Sequence, residues 1–140
     1  MKRKSKGKRQ KSKVIPRELG ERLLDYGFRI IRVAEAMPGT LAGRRIGDQL
    51  LRCGTSVGAN YQEAQAAESK ADFVHKLQLS LKELRESNYW LRLVSKAKTL
   101  PPSQLEGLID ESRQLRAILS KAVATAKGTA KSPLRQRGDF

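Results

Sequence analysis

Residues 69–94 read SKADFVHKLQLSLKELRESNYWLRLV and have the pattern of one long amphipathic helix. Ser69 stands three residues before Asp72, a capping box that satisfies free N–H groups in the first turn of a helix. Apolar and small side chains then recur at helical spacing on one face, which indicates packing against other helices. They are Phe73, Leu77, Ser80, Leu81, Leu84, Leu91 and Val94. The run Thr99-Leu100-Pro101-Pro102 is expected to end this helix.

Three further segments show the same periodicity. The first is expected over residues 17–36, between Pro16 and Pro38-Gly39, with Leu19, Leu23, Ile30, Ile31, Ala34 and Met37 as its apolar line. The second runs from residue 41 or 43 to 66 and presents Ile46, Leu50, Cys53, Val57, Asn60 or Tyr61, and Ala64. The fourth opens with a capping box at Ser103 and Glu106 and presents Leu105, Leu108, Ile109, Ser112, Leu115, Leu119, Ala122 and Val123. Four such helices joined by short turns predict an all-α, antiparallel up-down-up-down four-helix bundle.

The charge of the chain is concentrated at its ends. The 140 residues include 29 Lys and Arg against 14 Asp and Glu, a formal net charge of +15. Residues 1–13 contain no acid and eight basic residues, which are Lys2, Arg3, Lys4, Lys6, Lys8, Arg9, Lys11 and Lys13. A block of like charge without apolar residues cannot form a core. We therefore expect a disordered basic arm at 1–14, the bundle at 15–127, and a flexible basic tail at 128–140.

The basic arm indicates a polyanionic partner, because each phosphate that a lysine or arginine neutralises releases condensed counterions. The alternative is a solubilising tail, or one that adheres to ribosomes, with no specific target. A membrane is disfavoured because no apolar anchor accompanies the lysines and no stretch reaches the ~20 apolar residues that a spanning helix needs. The chain has no apolar segment typical of a signal peptide, and its single cysteine fits a reducing cytoplasm.

Nothing in the sequence indicates an enzyme. A di-metal site in a four-helix bundle needs paired Glu-x-x-His units, and His75 is the single histidine. Cys53 falls on the apolar line of the second helix and is read as a core residue. Gly54 and Gly58 lie within that helix and form no phosphate-binding motif. We therefore expect no catalytic residues, no metal and no cofactor.

Residues 55–64, TSVGANYQEA, place helix-weakening residues in the middle of the second helix. Glycine costs a helix about 1 kcal/mol relative to alanine, so close packing against another helix or subunit is expected at Gly58. Asn60 and Glu63 are candidates for hydrogen bonds that fix the register of the helices. A purely intramolecular role for Asn60 is the alternative.

A second polar group is expected on the third helix, where Glu83, Glu86 and Trp90 share a face. These acids are predicted to reach Asn60 and Glu63, with Arg52, Arg85 and Arg92 as further partners. The alternative is a tryptophan at the edge of the core beside solvated acids. The candidate structural or interface residues are Ser56, Gly58, Asn60, Glu63, Glu83, Glu86, Tyr89 and Trp90.

Residues 51–94 resemble the bacterial 23S rRNA-intervening-sequence proteins, a family of four-helix bundles. The resemblance lies in a small-residue segment, an N-Y-x-E-A motif, a Ser-x-x-Asp-Phe helix start, and an acid-rich helix that ends in Y-W-L. The positions that match are Thr55, Ser56, Gly58, Asn60, Tyr61, Glu63, Ala64, Ser69, Asp72, Phe73, Lys76, Leu77, Lys82, Glu83, Glu86, Tyr89 and Trp90.

The resemblance implies a small non-enzymatic protein that shares its fold with the accessory protein of diversity-generating retroelements. That accessory protein forms a barrel-like homopentamer, binds nucleic acid through a basic surface, and works with a reverse transcriptase. The basic arms of the present chain lie outside the segment that the family shares.

The leading hypothesis is therefore a cytoplasmic, oligomeric nucleic-acid-binding accessory protein, pentameric by resemblance, with RNA favoured and a reverse transcriptase as a further partner. Residues 2–13 would bind phosphate, and a basic surface on the first two helices would extend that site. This surface comprises Arg17, Arg22, Arg29, Arg32, Arg44, Arg45 and Arg52. Its alternative is an ordinary solvated face with pairs between neighbouring turns. The competing hypothesis is a protein-interaction scaffold that does not bind nucleic acid directly.

Overall fold

The computed structural model describes residues 18–128, which form four α-helices joined by short turns. They are α1 (Leu19–Ala36), α2 (Leu41–Gln65), α3 (Lys70–Ala97) and α4 (Pro102–Lys127). No strand occurs among these residues, so the all-α prediction is confirmed. The predicted basic arm, and the tail apart from Gly128, lie outside the described residues.

The residues that begin and end the helices follow from local chemistry. The Ser69 side chain accepts a hydrogen bond from the backbone N–H of Asp72 at 3.0 Å, which confirms the predicted cap of α3. Thr40 caps α2 in the same way through Gly43. The predicted capping box at Ser103 is wrong, because α4 begins earlier, at Pro102. A proline suits a first helical position, where its missing N–H would have no partner inside the helix.

The helices pack as a bundle in which each contacts the next and α1 also contacts α4, an arrangement consistent with the predicted up-down-up-down topology. The contacts between α1 and α2 run in opposite directions along the two helices, since Leu23 lies near Gly58 and Met37 near Gly47. Arg52 and Glu63 of α2 likewise meet Glu86 and Lys76 of α3, respectively. Because α1 contacts α4 and α2 contacts α3, the α1–α2 pair lies on one side of the bundle and the α3–α4 pair lies on the other.

The core is apolar and continuous through all four helices. Its fully buried members include Leu19, Leu23, Ile30, Leu50, Val57, Leu77, Leu84, Leu91, Leu105, Leu115 and Leu119. One predicted core position is wrong: Ile31 is 36% exposed, and Tyr26 is fully buried. Tyr26 continues the spacing of Leu19, Leu23 and Ile30, whereas Ile31 lies one residue around the helix from that line.

The core also contains four buried polar residues, and each has a hydrogen-bond partner. Tyr26 of α1 bonds to Ser87 of α3 at 2.7 Å, and Ser87 donates to the carbonyl of Leu84. Asn88 of α3 donates to Ser112 of α4 at 2.7 Å. The hydroxyl of Ser80 donates to the carbonyl of Val57 in α2 at 2.7 Å. Since an unpaired buried polar group costs free energy, these bonds favour one register of α3 against its neighbours.

The close contact between α1 and α2 depends on Gly54. A Cβ atom at this position would lie 2.6 Å from Cγ2 of Ile30, a distance that side-chain atoms do not tolerate. A Cβ at Gly58 would lie 3.5 Å from Cβ of Leu23, which is an ordinary van der Waals contact. Both glycines face α1, but the close helix contact expected at Gly58 occurs at Gly54, and the expected subunit contact at Gly58 stays a prediction.

These distances predict opposite effects for two matched substitutions. Gly54→Ala should lower the free energy of unfolding by about 1–3 kcal/mol, because Ile30 is buried and cannot move aside. Gly58→Ala should leave stability unchanged or raise it by up to about 1 kcal/mol through helix propensity. Urea unfolding of both variants and the wild type measures the difference. Equal effects of the two substitutions would contradict this account of the contact.

Candidate functional site

Two of the arginines predicted to bind nucleic acid are held in ion pairs between helices. Arg22 of α1 donates to both carboxylate oxygens of Glu111 in α4 at 3.0 and 2.8 Å. The hydrogen bond with Glu111 raises the pKa of Arg22. Arg52 of α2 donates to Glu83 at 3.1 Å and to Glu86 at 2.8 Å, both in α3. These two guanidinium groups therefore already have carboxylate partners within the bundle.

The other predicted arginines of α1 and α2 are scattered. Arg29 is half-buried and lies near Gly107 of α4. The guanidinium carbon of Arg32 lies 5.4 Å from the ring centre of Phe28. Arg44 donates to the carbonyl of Gly39 in the turn before α2, and Arg45 is exposed. Arg17 and the basic residues of the arm lie outside the described residues.

Acidic side chains outnumber unpaired basic ones on the first two helices. Residues 18–69 contain six arginines, and removal of the paired Arg22 and Arg52 leaves four. They contain seven carboxylates, of which Glu63 pairs with Lys76 and six have no ion pair within the described part of the chain. A polyanion would therefore meet a mixed surface on this side of the bundle, with acids in excess.

The opposite charge pattern holds on the last two helices, and sequence reasoning missed it. Residues 70–127 contain eleven lysines and arginines, and removal of the paired Lys76 and Arg113 leaves nine. Of the six carboxylates in the same range, Glu106 is the one without an ion pair among the described residues. All nine are exposed. We call six of them, which lie within α3 and α4 and are not the first or last residue of either helix, the α3–α4 basic face: Lys82, Arg85, Arg92, Lys96, Arg116 and Lys121.

Ion pairing with the neighbouring helices explains why the charges separate. Glu83 and Glu86 face α2, where both contact Arg52. Arg85 follows Glu83 by two residues, which is about 200° around the helix, and therefore lies on the side away from α2. Glu111 faces α1 in the same way, and Arg113 lies on the far side of α4. Three of the six acids in residues 70–127 are thus engaged between helices, and Asp72 and Asp110 pair within their own helices, while the unpaired basic residues face solvent.

A shallow groove of about 760 Å³ lies on the outer side of α1 and α2. We call it the α1–α2 groove. Its most exposed apolar members are Leu24 (68%), Phe28 (53%) and Ile31 (36%), all on α1. Thr55, Gly58 and Ala59 of α2 form the opposite wall, and Glu21 and Asp25 lie at its edge. Three large apolar side chains at helical spacing are not expected to face water together without a partner.

The polar group predicted around Trp90 exists with different members. The indole N–H of Trp90 donates to Glu86 at 3.0 Å, and Glu86 also accepts from Arg52. Arg52, one of the three arginines that were named as partners, is therefore the one that joins the two acids. Arg85 and Arg92 are exposed and have no ion pair among the described residues. The hydrogen bond from Trp90, with that from Arg52, lowers the pKa of Glu86.

The predicted link from these acids to Asn60 and Glu63 does not form. Asn60 donates to the carbonyl of Ser56 in its own helix at 3.0 Å, and Glu63 pairs with Lys76. Ser56 and Thr55 also bond to backbone carbonyls one turn earlier, at 2.7 and 2.6 Å. Such local bonds are typical of short polar side chains within helices. Within the single chain, Asn60, Ser56 and Thr55 therefore bond to the backbone of their own helix, and a role of Asn60 between subunits stays a prediction.

Two other features bear on the chemistry of the site. Cys53 is buried, and burial raises the pKa of its thiol to about 12, so the thiolate form is suppressed at neutral pH.

Among the described residues, no group of three or more His, Cys, Asp or Glu side chains could hold a metal ion. Within the same residues, none of the helices is long and apolar enough to cross a membrane.

Comparison with known families gives this arrangement a context. The sequence profile of the 23S rRNA-intervening sequence proteins matches residues 21–121, a segment that includes α2 and α3 and most of α1 and α4. The chain belongs to this family. No curated protein matches the chain.

One solved structure of the family can be compared directly. It is a protein of unknown function from the S23 ribosomal protein family of Bacteroides thetaiotaomicron. The two proteins share 31% identity over 75% of the present chain and 94% of the other, with a TM-score of 0.70. The family's four-helix fold is therefore shared, while the basic residues before residue 18 lie outside the segment that the family profile matches.

The bonds around Glu86 predict a pH dependence that Trp90 can report. Because its folded pKa is lowered, Glu86 should contribute stability above the ordinary glutamate pKa of about 4.3. This contribution should disappear as the pH falls through the lowered value. Trp90 is the single tryptophan of the chain, so its emission in the folded protein should change over the same acid range.

Glu86→Gln should remove this acid transition in Trp90 emission, and Glu106→Gln should retain it. Glu106 is the matched control because it is exposed on α4 and has no ion pair among the described residues. Fluorescence titration of the three proteins makes the comparison, with circular dichroism to confirm that they remain folded. An identical acid transition in wild type and Glu86→Gln would show that Glu86 is not its source.

Proposed function

We propose that this chain is a non-enzymatic, homo-oligomeric nucleic-acid-binding accessory protein that acts in the cytoplasm. The observation that carries the proposal is the separation of charge between the two sides of the bundle. Within the described part of the chain, residues 70–127 have nine basic side chains without an ion pair against one such carboxylate, which suits them to phosphate, and the eight basic residues of 1–13 add to that attraction. RNA is the favoured ligand.

The α1–α2 groove supports the oligomeric part of the proposal. A second copy of the chain is its proposed occupant, because Leu24, Phe28 and Ile31 offer apolar area that a copy could bury. Carboxylates at the edge of the groove make it a poor surface for nucleic acid. Self-association there would leave the α3–α4 basic face, on the opposite side of the bundle, available to phosphate.

The pentameric state and the partnership with a reverse transcriptase rest on the resemblance to the retroelement accessory protein. The competing candidate is a scaffold of the same family that binds protein partners and no nucleic acid. The α1–α2 groove favours that candidate equally, since an apolar groove suits a protein partner as well as a second copy. Nucleic-acid binding by the α3–α4 basic face is therefore the property that separates the two.

Salt dependence of RNA binding is expected to identify the basic surface. The triple variant Arg85→Gln, Arg92→Gln, Arg116→Gln should bind a single-stranded RNA more weakly. Its plot of log affinity against log salt should also be less steep, by about 2 in slope, as the loss of three phosphate contacts requires. The triple variant Arg32→Gln, Arg44→Gln, Arg45→Gln removes the same charge from the surface that the sequence predicted. We expect it to have the smaller effect on both quantities.

Fluorescence anisotropy across a salt series measures both variants, together with a protein that lacks residues 1–13. A larger loss of RNA affinity in the second triple variant would place the binding site on α1 and α2 instead. Absence of binding by the wild type at low salt would exclude nucleic-acid binding and leave the scaffold candidate.

The α1–α2 groove predicts the effect of two charge substitutions on assembly. Phe28→Glu should convert the oligomer into the 15.6 kDa single chain, because it places a carboxylate within the apolar contact. Leu41→Glu is the matched control, since Leu41 is 63% exposed and does not line the groove. Light scattering after size-exclusion chromatography measures both masses. A wild-type protein that is already monomeric would contradict the oligomer, and equal effects of the two substitutions would contradict this interface.

A further inference from the structure

One row of side chains on α3 combines basic residues with an exposed aromatic ring. Lys82, Arg85, Tyr89, Arg92 and Lys96 follow one another at spacings of three and four, which places them on one helical face. All five are exposed, and Tyr89 is 54% exposed. We call this row the α3 stripe. Its ends are 14 positions apart along the helix, a length of about 21 Å.

The exposure of Tyr89 is not explained by packing in the core. Its ring meets Trp90 edge-on, with centroids 5.2 Å apart and an interplanar angle of 72°. Trp90 is partly buried and bonded to Glu86, which Arg52 holds in turn. Tyr89 therefore rests against an anchored indole while more than half of its surface faces solvent.

The neighbours of Tyr89 indicate what could cover it. Arg85 and Arg92 lie one turn before and one turn after it, and neither has an ion pair among the described residues. An apolar protein surface placed over Tyr89 would have to desolvate these guanidinium groups without partners, at a large cost. A nucleic-acid strand provides partners for both the arginines and the ring, because its phosphates pair with arginine and its bases stack on aromatic rings.

We propose that the α3 stripe binds single-stranded nucleic acid, with a base stacked on Tyr89 and phosphates held by the four basic side chains. Single strands are required because the faces of the bases are stacked on one another within a duplex. This inference rests on the proposed nucleic-acid binding and adds its strand class and its stacking residue.

Base stacking can be tested with two ligands that carry the same phosphates. The full-length wild-type protein is titrated with a short fluorescein-labelled oligouridine and with an abasic oligomer of the same length and backbone charge. Wild type should bind the oligouridine more tightly, by a factor of about 5–150, the range of one base–aromatic stack. Tyr89→Ala should reduce this factor to near one, and Tyr89→Phe, which keeps the ring, should retain it.

A duplex RNA and the emission of Trp90 supply two further readouts. Tyr89→Ala should bind the duplex as wild type does, because the duplex is held through its phosphates alone. In wild type the emission of Trp90 should change on addition of oligouridine and not on addition of the abasic oligomer, since Trp90 contacts the Tyr89 ring. Circular dichroism confirms that the Tyr89 variants are folded.

The outcomes separate this inference from the proposed function. Equal affinity of wild type for the two oligomers, or unchanged oligouridine affinity in Tyr89→Ala, would overturn base stacking on Tyr89. Nucleic-acid binding through charge alone would remain in place. A failure of wild type to bind any of the three ligands would overturn the proposed function and the stripe together.

Discussion

The contact of Ile30 with the backbone of Gly54 sets how closely α1 approaches α2, and much of the outer surface follows from it. Any side chain at residue 54 would hold the two helices apart. With Ile30 buried against this glycine, the next residue, Ile31, must turn outward, and Leu24 and Phe28 lie on the same side. The apolar groove is thus a consequence of the rotation of α1 that packs Ile30 against Gly54. The small residues of α2 serve packing first, and the surface proposed for self-association follows from that packing.

Polar contacts fix α3 in place within this arrangement. Its buried Ser87 and Asn88 bond to α1 and α4, and Ser80 bonds to α2, so one helix is tied to the other three. Acids on α3 and α4 add ion pairs with α2 and α1 at the edges of the bundle. Because those acids are engaged between helices, the basic residues left on the outer side of α3 and α4 determine its charge. The chemistry that stabilises the bundle and the chemistry of its proposed surface are therefore coupled.

The sequence was sufficient to predict the four helices and insufficient to predict which surface of the bundle carries the unpaired basic residues. Periodicity and the Ser69 cap predicted α3 well, because both are local properties of a helix. The capping box at Ser103 was wrong because two capping signals overlap there and the proline begins the helix. The predicted basic surface consists of arginines on α1 and α2, yet the pairing of Arg22 and Arg52 depends on helices far along the chain. The sequence analysis did not identify the row from Lys82 to Lys96, because its lack of ion pairs within the described residues depends on the folded bundle.

The separation of charge has a consequence for assembly. The α1–α2 groove is apolar with carboxylates at its edge, whereas the α3–α4 basic face is polar and positive. Copies that meet through their basic faces would repel one another, so self-association through the grooves is electrostatically preferred. Each added copy would then present another basic face to solvent and raise the local density of positive charge. Several weak phosphate contacts on linked copies act as one strong site, since binding of the first raises the effective concentration of the rest. Oligomerisation on one side of the bundle and nucleic-acid binding on the other would therefore reinforce each other without any change in the fold.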